Sequence, residues 1–117
     1  MRTISLLTLA MLSAASPAFA HAMLERASPL VGSEVAAAPH EITLTFTEGV
    51  EPLFSTIELR DAHGTVVATG KPRAEQGNNR KLVVELPVLG SGSYTVIWHA
   101  TSVDPHKTEG NYRFVVK

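Results

Sequence analysis

The sequence predicts an all-β fold, a single small Greek-key β-sandwich or barrel of the immunoglobulin-like or cupredoxin-like kind. Three observations carry that expectation. Apolar residues alternate with threonines and other polar residues at period two. Turn-forming clusters bound every such segment. No stretch sustains a 3.6-residue apolar period with caps at its ends.

Taken in order, Ile42, Leu44 and Phe46 alternate with Thr43, Thr45 and Thr47, the pattern of a half-buried strand rich in β-branched side chains. Ile57 and Leu59 alternate with Thr56, Glu58 and Arg60, and Asp61-Ala62-His63-Gly64 then turns the chain into Thr65-Val66-Val67-Ala68. Further strands are predicted at residues 81–86, 93–100 and 112–116. Punctuation separates them: Gly70-Lys71-Pro72, Gln76-Gly77-Asn78-Asn79, Pro87 with Gly90-Ser91-Gly92, and Asp104-Pro105. Residues 31–38 have room for one short helical turn. Tyr94, Val96 and Trp98 share one strand face and read as core, with His99 on the opposite face. No internal repeat and no long linker divides the chain.

The N-terminus reads as an export leader. Arg2 supplies the positive start, residues 4–12 with Leu6, Leu7, Leu9 and Met11 the apolar stretch, and Ala18 and Ala20 the small residues of an A-x-A cleavage site. It is too short to span a bilayer, and nothing later approaches the roughly 20 apolar residues a spanning helix needs. The expected organisation is a signal peptide over residues 1–20 and one soluble, exported domain over residues 21–117. The full chain carries a net charge of −1, and loss of Arg2 makes the mature domain one unit more negative. No basic run appears, which argues against nucleic acid and anionic membrane as partners. The chain has no cysteine, so packing alone must stabilise it and thiolate metal sites are excluded.

Cleavage after Ala20 makes His21 the first residue. An N-terminal histidine offers a metal its α-amine and its ring Nδ1 together, a chelate that a shift of the cut by one residue would destroy. The amine titrates at about 8, so a Lewis-acidic ion can displace its proton at neutral pH. A second candidate is Ser102-Val103-Asp104-Pro105-His106, which directly follows the strand at residues 93–100. Alternate residues of an extended segment point to one side, so Asp104 and His106 can converge there, with Pro105 stiffening the backbone. Two imidazoles, an amine and a carboxylate form a nitrogen-rich set that favours tetragonal Cu(II), while Zn(II) would prefer a tetrahedral arrangement. Alone, Asp-Pro-His is most simply a turn, and an N-terminal histidine is common by chance. The remaining histidines have plainer readings: His40 and His63 in solvent-facing loops, His99 on an outer strand face. Glu25, Glu41 and Glu51 read as surface charge.

Several short motifs, in order, resemble the CopC family of periplasmic copper-resistance proteins over nearly the whole mature length. They are His21-Ala22-Met23-Leu24 with Ser28-Pro29 and Gly32-Ser33, then Phe46-Thr47-Glu48, then the run from Gly92 to Trp98, and finally Ser102-Val103-Asp104-Pro105-His106 with Gly110 and Phe114. The resemblance implies a periplasmic domain that holds one Cu(II) per chain through His21, His106 and Asp104. It places Glu48 as an outer or weak axial carboxylate. Two positions depart from the family pattern, Pro105 between the Asp and the His, and Lys107 after the His. Met23 is the only methionine outside the leader, whereas some family members carry a methionine-rich Cu(I) loop, so this chain resembles a Cu(II)-only member.

The implied role is a monomeric, non-enzymatic copper carrier or buffer in copper homeostasis and resistance, passing its ion to an inner-membrane copper transporter or another periplasmic copper protein. Two other classes compete. A copper-dependent monooxygenase of the kind that attacks polysaccharides also uses an N-terminal histidine, and a metal-free immunoglobulin-like module needs only the strands.

Overall fold

A computed structural model of the chain describes residues 21–117; the leader expected at residues 1–20 lies outside the described residues. The strands are β1 (Leu24–Ser28), β2 (Glu34–Val35), β3 (Glu41–Phe46), β4 (Thr56–Arg60), β5 (Val66–Val67), β6 (Arg73–Glu75), β7 (Asn78–Glu85), β8 (Gly92–Thr101) and β9 (Lys107–Val116). A 3₁₀ turn at Pro52–Phe54 is the only helical element among the described residues.

Two sheets form, a four-stranded one in the order β1-β3-β7-β6 and a five-stranded one in the order β2-β9-β8-β4-β5. The chain returns to pair β3 with β7 and β4 with β8, the long-range connections of a Greek key. All pairs are antiparallel except β2 with β9. Of sandwich and barrel, the chain is a sandwich.

Period-two alternation becomes the core directly. Ile42, Leu44 and Phe46 of β3 are fully buried, as are Leu59 of β4, Val84 of β7, Val96 of β8 and Phe114 of β9. They close a single apolar layer between the sheets. Phe46 meets Trp98 edge to face at 5.3 Å, and Tyr94 stacks on Phe114 at 5.6 Å. Trp98 lies against Gly110 on the partner strand, where a Cβ would come within 2.6 Å of the indole. Only glycine fits at that position. The hydroxyl of Tyr94 reaches back to the Gly90 carbonyl at 2.8 Å, anchoring the entry to β8. Tyr112 is buried in the same layer, and burial pushes its phenol above the ordinary range.

The structure departs from the expectation in a few places. Residues 31–38 form no helical turn; Glu34 and Val35 instead add a short parallel edge to β9. β1 and β6 were not legible, because Leu24–Ser28 and Arg73–Glu75 carry mixed, largely exposed side chains with no clean alternation. β9 begins at Lys107 and not at Tyr112, so β8 and β9 form a ten-residue hairpin ladder joined by residues 102–106. That extension matters for function, because it puts His106 at the mouth of the longest hairpin.

Candidate metal centre

The two chain segments with chemical promise meet at one end of the sandwich. Residues 21–23 lead into β1 in the first sheet, and residues 102–106 link β8 to β9 in the second. The imidazoles of His21 and His106 lie edge to face with ring centroids 4.9 Å apart and an interplanar angle of 89°.

On the His21 side, Ala22 has its side chain in the core, with 1% of its surface exposed, while His21 and Met23 on either side are exposed. Hydrogen bonds to its backbone hold this segment. Thr47, just past β3, donates its hydroxyl to the His21 carbonyl at 3.2 Å and accepts from the Met23 amide at 3.0 Å. The Thr47 amide donates to the Met23 carbonyl at 2.9 Å. From the other sheet, the Thr108 hydroxyl donates to the Ala22 carbonyl at 2.7 Å.

On the His106 side the loop turns about Ser102, a polar side chain buried to 1%. Its amide donates to the His106 carbonyl at 2.8 Å, and its hydroxyl accepts from the His106 amide at 3.2 Å and donates to the Asp104 carboxylate. Val50 bridges to Ser102, and the Val103 amide donates to the Gly49 carbonyl at 3.0 Å, which ties the loop to the segment that carries Glu48. The extended geometry expected for residues 104–106 does not occur. The backbone bends instead, and the Ser102 bonds hold the bend.

Asp104 and His106 still converge, by the turn and not by strand alternation. One carboxylate oxygen of Asp104 takes the Ser102 hydroxyl, and the other lies 3.0 Å from Nδ1 of His106. The Ser102 hydroxyl, and then His106, hold the Asp104 carboxyl below its usual value, so it is ionised at neutral pH. A carboxylate on Nδ1 fixes the imidazole tautomer and ring orientation, which in metal sites directs Nε2 at the ion. Each oxygen of the carboxylate keeps a second lone pair, so these partners leave room for Asp104 to act as a donor as well. Among the described residues no three His, Cys, Asp or Glu side chains already converge as a metal cage. What exists is a histidine pair with one ring oriented by a carboxylate. Glu48 is exposed and follows Thr47 directly in the chain.

The other histidines stand apart. His99 sits on the outer face of its strand, with Nε2 at 3.0 Å from Glu109 and Nδ1 at 3.5 Å from Thr56. His63 lies in the Asp61 turn, where the Asp61 carboxylate accepts from the His63 and Thr65 amides, and His40 is exposed. Ser102 opens the Ser102-to-His106 run, but nothing in the sequence marks its role. Thr47 and Thr108 gave no signal at all, since a hydroxyl that holds a distant carbonyl leaves no local pattern.

The site is thus a pair of histidines, from near the two ends of the described residues, at one end of a cysteine-free two-sheet β-sandwich. The chain belongs to the CopC domain family, whose model matches residues 24–117. It is similar to Protein YobA of Escherichia coli, at 41% identity over 85% of this chain and 81% of that one. It is also similar to the copper transport protein CutJ of Bacillus subtilis, at 32% identity over 84% of this chain but 18% of that longer one. Among solved structures, CopC from Methylosinus trichosporium superposes with a TM-score of 0.79 at 37% identity, covering 83% of this chain and 94% of that one. PcoC, a methionine-rich copper resistance protein from Escherichia coli, superposes with a TM-score of 0.73 at 35% identity, covering 84% and 100%. The chain is thus a member of a family of copper-resistance and copper-transport proteins. No helix among the described residues is long and apolar enough to cross a membrane.

Proposed function

We propose that the mature chain begins at His21 in the periplasm and carries one Cu(II), held by the α-amine and Nδ1 of His21 and by His106, with Asp104 completing the set. The observation that carries this reading is the approach of the two imidazoles to 4.9 Å across the sandwich, in a domain of copper-handling kinship. The amine and first ring form a chelate on one residue, and the second ring comes already oriented by Asp104. Glu48 serves as an outer or weak axial carboxylate. The donors are nitrogen and oxygen, which suits Cu(II).

The carrier releases its ion to a membrane copper transporter or another periplasmic copper protein. CutJ supports this direction, because there a domain like this one forms less than a fifth of a longer copper transport protein. The domain performs no catalysis. Asp104, as a donor, would take up a position that an oxygen-activating copper enzyme keeps open.

Cu(I) is expected to bind poorly, since Met23 alone supplies no set of soft sulfur donors, in contrast to the methionine-rich PcoC. Reduction should therefore release the ion. Competition of the mature protein against a Cu(I)-specific chelator tests this. Complete transfer of Cu(I) to the chelator is the expected result, and stoichiometric retention would contradict it and reopen a redox enzyme.

A further inference from the structure

We infer that Thr108 is a positioning residue of this centre: its hydroxyl, bound to the Ala22 carbonyl, sets the spacing between the His21 and His106 imidazoles. The inference rests on the copper-carrier reading for its purpose, and on metal-free geometry for its substance.

A chain terminus frays unless something ties it down. Residues 21–23 precede β1 and have no ladder of their own. The bonds of Thr47 fasten His21 and Met23 to the first sheet. They reach the 102–106 loop that carries His106 only indirectly, through the bonds of Gly49 and Val50 to Val103 and Ser102. A direct hydrogen bond joins residues 21–23 to the second sheet, from Thr108 to Ala22, at 2.7 Å across 86 positions of sequence. Thr108 lies two residues after His106, at the start of β9, so the bond links the neighbour of one imidazole to the near neighbour of the other.

The burial of Ala22 also holds the segment, but apolar packing is non-directional, and the Thr47 bonds orient the backbone on either side of Ala22 against the first sheet. The Thr108 bond to the Ala22 carbonyl adds a direct tie to the strand that follows His106, and so sets where the His21 ring and amine stand relative to the His106 ring. The hydroxyl is partly buried, so losing it leaves the Ala22 carbonyl without this partner in a place water reaches poorly.

Thr108→Val keeps the shape and removes the donor, and Thr108→Ser keeps the donor and trims the shape. Two measurements separate the inference from the copper reading. In metal-free protein processed to His21, a nuclear Overhauser contact between the His21 and His106 ring protons is expected, lost in Thr108→Val and restored in Thr108→Ser. In Cu(II) competition titrations, Thr108→Val should bind about tenfold more weakly than wild type, and Thr108→Ser within about twofold of it, the size expected of one hydrogen bond. If the ring contact is absent in the wild type, or persists in Thr108→Val, the inference is overturned. The same holds if Ser fails to restore it, since packing would then be the cause. A wild-type protein that shows the ring contact but binds no Cu(II) overturns the copper reading alone.

Discussion

Retaining a single residue ahead of His21 should weaken Cu(II) binding by more than about a hundredfold. The extra residue converts the α-amine, which titrates at about 8, into an amide that gives up its proton far less readily. The chelate ring on His21 then loses one arm, and the remaining imidazole must bind as an independent ligand. The lower bound follows from magnitudes in other metal sites, where removing even an outer-shell partner costs roughly 10- to 100-fold in affinity. The fold should be indifferent, because His21 is exposed and Ala22, not His21, enters the core. Parallel titrations of the native and extended forms against a Cu(II) chelator check the point. Equal affinities would mean that the terminus is not a ligand.

His106→Ala should be comparably damaging, by about a hundredfold or more, since it removes the imidazole that Asp104 orients and that the hairpin presents to His21. Asp104→Ala should cost less, roughly 10- to 100-fold, the range for a carboxylate that fixes a liganding ring. His40→Ala, His63→Ala and His99→Ala should leave binding within about twofold. Their rings lie in exposed turns or are paired with Glu109 and Thr56, away from the histidine pair. The loop at residues 102–106 contributes Ser102 to the buried set but neither His106 nor Asp104, so the secondary structure seen by circular dichroism should persist in both variants. Uniform losses across all five variants would indicate adventitious surface binding.

The contrast between what was legible and what was not has a physical basis. β3, β4 and β8 bury one face and expose the other, and that asymmetry is written into Ile42 to Phe46, Ile57 to Leu59 and Tyr94 to Trp98 as strict alternation. β1, β2 and β6 are edge strands, held mainly by backbone ladders to a neighbour. A ladder uses groups common to every residue, so it leaves no side-chain pattern. The start of β9 was missed for a related reason: Lys107 to Asn111 alternate exposed and half-buried polar side chains around Gly110, and glycine there reflects the indole of Trp98 and not a turn.

The same division runs through the site. His21, Asp104 and His106 stood out because imidazole and carboxylate side chains can ligate a metal and because the expected leader would make His21 the first residue. Glu48 came from the family resemblance alone. The devices that bring these residues together are Thr47, Ser102 and Thr108, each holding a backbone group or a carboxylate elsewhere in the chain. Short spacing suggested that Asp104 and His106 meet on an extended segment; the meeting is real, but it depends on a bend built around the buried Ser102 hydroxyl.

The central claim is that one Cu(II) is bound by the amine and ring of His21 together with the ring of His106. Electron paramagnetic resonance of protein processed to His21, loaded with one equivalent of Cu(II), tests it most directly, because the signal reports oxidation state, geometry and coordinated nitrogen at once. A single axial species with superhyperfine structure from three nitrogen donors, losing one nitrogen in His106→Ala, is the predicted result. A mixture of species, or a spectrum from oxygen ligands alone that is unchanged in His106→Ala, would contradict it.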